Sequence, residues 1–413
     1  MPEYRTVDDI ELGDIEFWKR PLDERHAAFE ALRAEPTMCF HEEITTLEGG
    51  IKGPGFWSAV SWPDVRAVNR NPQVFSSAGG IVLGESVPET LEFFGSMIVM
   101  DDPRHAKFRL LVQKGFTPKM VAQVEESVRL RAKELVAAAK AHGGPLDFVE
   151  HFAAPLPLQV ICDMLGVPEQ DEKQIFEWTN VILGVGDPDF AMDLNGLIEA
   201  AMGMFNYAQE LGTDRLANPR EDITSTLMHA EVDGQRLTPS EFGSFFILLA
   251  VAGNETTRNA ISWGAHLLTN HPDQRRTLKE NYAELSLKAA DEIVRWSSPV
   301  IHMRRIATRD FDLNGTHISE GEKVVMWYWA ANRDPAVFPE PETFDIFRVN
   351  TNEMAGYGAG GPHFCLGANL ARREIQFMFD EIFRELPGLE ITGEPDRLVS
   401  AFINGVKRMP CDW

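Results

Sequence analysis

Gly358-Ala359-Gly360-Gly361-Pro362-His363-Phe364-Cys365-Leu366-Gly367 is a glycine-rich loop ending on a cysteine, and Ala368-Asn369-Leu370-Ala371-Arg372-Arg373-Glu374 follows it with a helical pattern. A thiolate at Cys365 faces the positive end of that helix, which favours the anion. The glycines let backbone lie against something flat and bulky and leave amides free to hydrogen-bond sulfur. Such a description fits many reactive thiols. It also suits a haem iron, whose axial sulfur pushes electron density onto the metal and favours O–O cleavage.

The rest of the chain narrows the choice. Cys39, Cys162, Cys365 and Cys411 lie far apart with no C-x-x-C pair, which argues against a disulfide framework, an iron–sulfur cluster or a zinc ribbon. Cys162 reads as a free core thiol. With 413 residues, 44% of them apolar, the chain supports a large core, and no repeat or Pro/Gly/Ser-rich linker divides it. One unit over 1–413 is expected, mainly α with a small β region. A formal charge of −24 repels nucleic acid and anionic membranes, so neither is an expected partner. The polar start Met1–Asp9 has no signal-peptide pattern, and the longest apolar run, Phe245 to Gly253, is about half the ~20 residues of a membrane span. A soluble, cytoplasmic protein is expected.

Helical periodicity predicts helices at 22–34, 62–71 (opened by Ser61), from Asp102-Pro103 to about 116, and at about 118–142, 150–165, 169–183, 190–212 and 219–230. Thr238-Pro239-Ser240-Glu241 is a capping threonine, a proline at the first helical position and a glutamate three residues on. The helix it opens runs unbroken to Asn270. Strands are expected near 38–60, 300–327 (turning at Asn314-Gly315) and 388–412.

Two further motifs carry chemistry. Ala252-Gly253-Asn254-Glu255-Thr256-Thr257 places a glycine, an acid and two threonines in an apolar stretch of the long helix. On an isolated helix the threonines would simply bond back to carbonyls. Beside a haem thiolate, an acid and an alcohol at a local opening of the helix suit proton delivery in a site that otherwise excludes water, with Gly253 leaving room for dioxygen. Glu292-Ile293-Val294-Arg295 sets two charges three residues apart on one helix face, a weak signal alone.

In this order, the motifs resemble the cytochrome P450 family over essentially the whole chain. The resemblance implies the P450 fold, triangular, with haem b between the long central helix and the cysteine-loop helix. It implies Cys365 as iron ligand, Glu255 and Thr256 as the acid–alcohol pair, and Glu292 with Arg295 as a structural pair. His105, Arg109, Arg305 and His363 match the haem-propionate contacts, cations suited to two carboxylates. Two positions depart from the pattern. The aromatic expected seven before the cysteine is displaced to Tyr357, leaving Gly358, and Thr343 stands where relatives carry an arginine that joins the Glu292–Arg295 pair; Arg348 is not assigned to that role.

The stretches around 93–99, 176–184 and 244–249 are similar to the actinobacterial methyl-branched-lipid ω-hydroxylases. This implies oxidation of a terminal methyl on isoprenoid-like fatty acids or alcohols, with a steroid side-chain terminus as the alternative. Implied pocket residues are Phe94, Ile98, Leu248, Val251, Val300 and Phe402; each is equally at home in an ordinary core. No flavin, nicotinamide or ferredoxin pattern is fused to the chain, so electrons are expected from a separate ferredoxin and its NAD(P)H-dependent reductase. A basic patch of Arg104, Lys107, Lys114, Lys119, Arg372 and Arg373 is the expected docking face for an acidic ferredoxin. A haem-thiolate peroxygenase would tend to lack the Glu255-Thr256 pair, and a haem sensor would bind a ligand without forming product.

Overall fold

A computed structural model describes residues 7–43, 52–85, 91, 93, 95–113, 118–184, 187, 189, 194–231, 234 and 236–413. Its longer helices are α1 (Leu22–Ala34), α2 (Trp62–Arg70), α3 (Arg104–Gln113), α4 (Pro118–His142), α5 (Pro155–Leu165), α6 (Glu169–Leu183), α7 (Leu194–Ala217), α8 (Ile223–His229), α9 (Pro239–Asn270), α10 (Pro272–Glu280), α11 (Tyr282–Ser297) and α12 (Ala368–Glu385). The architecture is mainly α with small sheets, as expected from the sequence.

The capping box forms as its residues require. Glu241 N–H donates to Thr238 Oγ1 (3.1 Å), and Thr238 N–H donates to Glu241 Oε2 (3.0 Å). Helix α9 then runs for 32 residues, about 48 Å, and packs against α5, α7, α11 and α12 at the centre of the largest apolar core. Ser61 caps α2 in the same way, its Oγ accepting from Asp64 N–H (3.3 Å). One expected element divides: residues 150–165 are not a single α-helix but a π-turn, Val149–Ala153, followed by α5. Pro155 opens α5 because it has no amide to extend the preceding ladder. The expected helix beyond Asp102-Pro103 is described through Gln113; 114–117 lie outside the described residues.

The principal sheet has the order Cys39–His41, Phe56–Ala59, Lys323–Trp327, His302–Ala307, Phe75–Ser76. Its central pair is antiparallel, with Arg305 opposite Val324. Smaller sheets include Asp396–Arg397 with Val406–Arg408, and the hairpin Phe311–Leu313 with Thr316–Ile318 around the Asn314-Gly315 turn. Among the described residues no helix is long and apolar enough to cross a membrane.

Candidate active site

The loop before α12 holds its cysteine by backbone. Cys365 N–H donates to the Tyr357 carbonyl (3.0 Å), and the Gly367 and Ala368 amides donate to the sulfur. Between them Gly358, Ala359, Gly360 and Gly361 all take positive φ (100°, 44°, 88°, 88°), a path that is strained for the one alanine among them. A Cβ at Gly361 would come within 2.2 Å of the Asn69 carbonyl, so glycine is required there. The exposed surface of Cys365 is cavity wall. Burial pushes its thiol pKa up; the Gly367 amide, Arg109, Arg372 and the Ala368 amide pull it back down. Tyr357, the displaced aromatic, lines the same cavity, and Arg372 stacks on its ring at 4.5 Å. The Arg372 Nε also binds Asp291 Oδ1 (2.6 Å).

That cavity, about 1480 Å³ and partly open to solvent, runs from the Cys365 loop to α9 and is overwhelmingly apolar. From α9 it receives Leu248, Leu249, Ala252, Gly253, Thr256 and Thr257, positions that recur at helical spacing on one face. A Cβ at Gly253 would lie 2.6 Å from Ile161, so this glycine also serves close packing of α9 on α5. Thr256 Oγ1 donates back to the Ala252 carbonyl (2.9 Å), and α9 shows no break there, contrary to the local opening expected from sequence. Glu255 is not on the cavity wall. It is 1% exposed and bonded to Arg258 Nη2 and to Asn259 Nδ2 (3.0 Å) on its own helix.

At one edge of the cavity His363, Arg109 and Arg305 reach the wall. His105 lies behind His363, ring centroids 4.2 Å apart, with its Nε2 buried and without a protein partner. Burial and the positive charge of Arg305 drive the His363 pKa down to about 3. Of the implied pocket residues, Ile98, Leu248 and Val300 line the cavity. Val251 does not: Leu249, Ala252, Gly253 and Thr256 define the cavity-facing arc of α9, with Leu248 at its edge and Val251 beyond that edge. Phe402 instead packs edge-on against His302 (5.4 Å). Phe94 lies outside the described residues.

Glu292 and Arg295 are both wholly buried and bidentate, Nε to Oε2 at 2.7 Å and Nη2 to Oε1 at 2.8 Å. Their third partner is Arg348, five residues beyond the position the family pattern implies. Its Nε lies 3.1 and 3.3 Å from the two Glu292 oxygens. Thr343 contributes only its carbonyl, which accepts from Arg295 Nη2 (3.2 Å) and Arg348 Nη2 (2.9 Å).

With this geometry in place, comparison with known proteins is decisive: the Cytochrome P450 family model matches residues 90–393. The chain belongs to the cytochrome P450 family. It is 48% identical over 414 residues to the methyl-branched lipid omega-hydroxylase of Mycobacterium tuberculosis, covering 100% of this chain and 96% of that one. It is 42% identical over 370 residues to the steroid C26-monooxygenase of Rhodococcus jostii (88% and 77% covered). Among solved structures, Mycobacterium marinum cytochrome P450 CYP268A2 in complex with pseudoionone superposes with a TM-score of 0.93 at 37% identity, covering 100% of both chains.

P450 enzymes are monooxygenases that carry a haem iron, and this cavity fits one. A single thiol stands at its base, an orphaned imidazole nitrogen and two guanidinium groups gather at one edge, and the walls are otherwise apolar. Among the described residues no group of three His, Cys, Asp or Glu converges as an alternative metal site.

One cavity residue belongs to no sequence motif. Glu374, on α12, is 2% exposed, accepts from the Thr257 hydroxyl and leaves Oε1 without a partner. Burial raises its carboxyl pKa to about 8. The folded protein therefore holds this proton where the unfolded chain, near 4.5, has lost it. Stability contributed by the neutral acid is complete below about 4.5 and is lost as pH rises toward 8. E374Q stays neutral throughout. Urea unfolding of the holoenzyme should show the variant gaining on wild type from pH 5 to pH 8, by on the order of 3 kcal/mol. Parallel pH profiles would mean that Glu374 does not hold the proton.

Proposed function

We propose that this P450 is a cytoplasmic, haem b-dependent hydroxylase of a terminal methyl on methyl-branched lipids, fed with electrons by a ferredoxin and its NAD(P)H-dependent reductase. The observation that carries the reading is the cavity wall facing Cys365. Met97, Ile98, Leu248, Val300 and Met303 offer it no charge, so it suits a long apolar chain entering end-on. The 48% identity to a methyl-branched lipid omega-hydroxylase supports the same substrate class.

In this reading Cys365 holds the iron, and His105, Arg109, Arg305 and His363 hold the two porphyrin carboxylates. The haem, when bound, supplies reductive activation of dioxygen for insertion into a C–H bond. The protein's own task is placement and protons. A terminal C–H is stronger than internal ones, so the side chains over the loop must admit a methyl and keep weaker bonds away. Thr256 Oγ opens on the cavity as a proton carrier, and Glu255 is the acid behind it. For electron entry, Lys107 and Leu110 are exposed on α3, whose Arg109 donates to the Pro362 and Phe364 carbonyls of the Cys365 loop. Arg372 and Arg373 contribute less free charge than the sequence implied, because they bind Asp291 (2.6 Å) and Glu125 (3.0 Å). Lys114 and the Lys119 side chain lie outside the described residues.

The steroid alternative draws on the 42% identity to a steroid C26-monooxygenase. A reconstituted lipid panel read by mass spectrometry separates the two. Terminal hydroxylation of a branched fatty acid should exceed that of its straight-chain isomer, and of cholestenone, by at least ~10-fold in kcat/KM, about 1.4 kcal/mol of differential placement. Preference for the sterol would favour the alternative.

A further inference from the structure

On the strand His302–Ala307, Met303 and Arg305 reach the cavity wall, while His302 and Arg304, the alternate positions, turn to the other side and are each 1% exposed. Both ring nitrogens of His302 are engaged, each with a different part of the chain. Nδ1 lies 2.9 Å from the Ala401 carbonyl and Nε2 lies 3.0 Å from the Leu83 amide. A carbonyl can only accept and an amide can only donate, so Nδ1 carries the proton and Nε2 is the acceptor. The ring is neutral and of one tautomer, in keeping with burial, which pushes its pKa down to about 4. Trp327 (5.1 Å) and Phe402 (5.4 Å) pack against the ring and hold its plane.

The two segments that His302 joins both bear on the cavity. On one side the Phe402 carbonyl accepts from Ile301 N–H (2.8 Å), Asn404 N–H donates to the Pro299 carbonyl (3.0 Å), and Val300 bridges to Ile403. Pro299 and Val300 line the cavity. On the other side Arg304 N–H donates to the Ile81 carbonyl (2.8 Å) and Arg304 Nη2 to the Gly79 carbonyl (2.5 Å). That stretch precedes Met97 and Ile98 of the same wall. Val300 and Met303 flank His302 along the chain, so slack at the ring passes directly to them.

We propose that His302 is a positioning residue for the substrate: its ring brackets the 81–83 segment and the 400–404 turn from behind the cavity wall. The bracket holds Val300 and Met303 where they confine an apolar chain to one placement, so that one carbon is presented toward Cys365. Selection among C–H bonds needs wall atoms fixed to a fraction of an ångström, which a ring bonded at both nitrogens supplies and an apolar side chain does not. The inference deepens the lipid-hydroxylase reading and rests on it for the substrate class alone.

The test compares the hydroxylated positions that wild type, H302F, H302Q and H302N produce on one branched fatty acid, read by mass spectrometry. Phenylalanine keeps the ring and loses both bonds. Glutamine keeps a carbonyl oxygen for Leu83, and asparagine keeps an N–H for Ala401, so each retains one. H302F should lower the ratio of the main product to the next by roughly tenfold, while total kcat stays within about threefold of wild type. H302Q and H302N should fall between, and they carry the test if H302F does not fold. An H302F enzyme that unfolds in less urea yet keeps the wild-type product distribution has lost only a structural residue, and overturns the proposal. A holoenzyme crystal structure lacking either ring bond overturns it without any variant. A wild type that prefers a sterol or an internal carbon refutes the substrate reading instead; the change in distribution on that substrate still decides the role of His302.

Discussion

Replacing Cys365 by serine should abolish product formation, by at least ~1000-fold or about 4 kcal/mol of barrier, while the protein still folds. The reduced, carbon monoxide-treated variant should lose the thiolate-type Soret band that the wild type is expected to show. The structural reason to expect a fold is that the loop is held by main chain: the Cys365 amide to Tyr357, and four positive-φ residues whose path owes nothing to sulfur. Serine keeps the two amide donors at Gly367 and Ala368 but gives them a neutral oxygen in place of an anion. Its hydroxyl ionises far less readily than a thiol, and burial at this position disfavours the anion further. The position would then supply no negative charge to an iron. A histidine-type band in the wild type, or a C365S variant that keeps its rate, would remove Cys365 from the ligand role and with it the reading of the loop.

How far the sequence foretold this site depended on whether the relevant signal was local. The Thr238–Glu241 box marked the start of α9 because a cap is set by four consecutive residues. The Cys365 loop was legible for the same reason. What failed were relations across helical phase or across the chain. Glu255 and Thr256 are adjacent in sequence, yet neighbours on a helix stand about 100° apart, so only Thr256 reaches the cavity while Glu255 turns toward Arg258. Val251 and Ala252 part company in the same way, only Ala252 reaching the cavity. Glu374 and Thr257 meet from helices more than a hundred residues apart, and neither stood out within its own motif. Arg348 lies five residues beyond the position where the arginine was expected. Only the folded path of 339–348 shows that its guanidinium swings back to Glu292.

That swing makes a stability experiment with large and unequal effects. Glu292 is one carboxylate shared by two guanidinium groups, wholly buried, with the Asp345 amide also on Oε1 (3.0 Å). E292Q keeps the shape but turns an amide donor toward cations and leaves two buried positive charges facing one another. It should cost about 3–5 kcal/mol, read as a fall in the urea midpoint of the holoenzyme. R295M should cost a similar amount, since it strips a bidentate partner and leaves the carbonyls of Asn332 and Pro341 without their donor. R348M should cost less, about 1–2 kcal/mol, because Glu292 keeps its bidentate partner. The decisive variant is the double one. Removing Arg348 from E292Q takes away one of the two uncompensated charges, so E292Q/R348M should be less destabilised than the sum of the singles by at least ~1 kcal/mol. Strict additivity would mean that Arg348 merely lies near the pair; coupling of that sign identifies it as the third member that Thr343 could not supply.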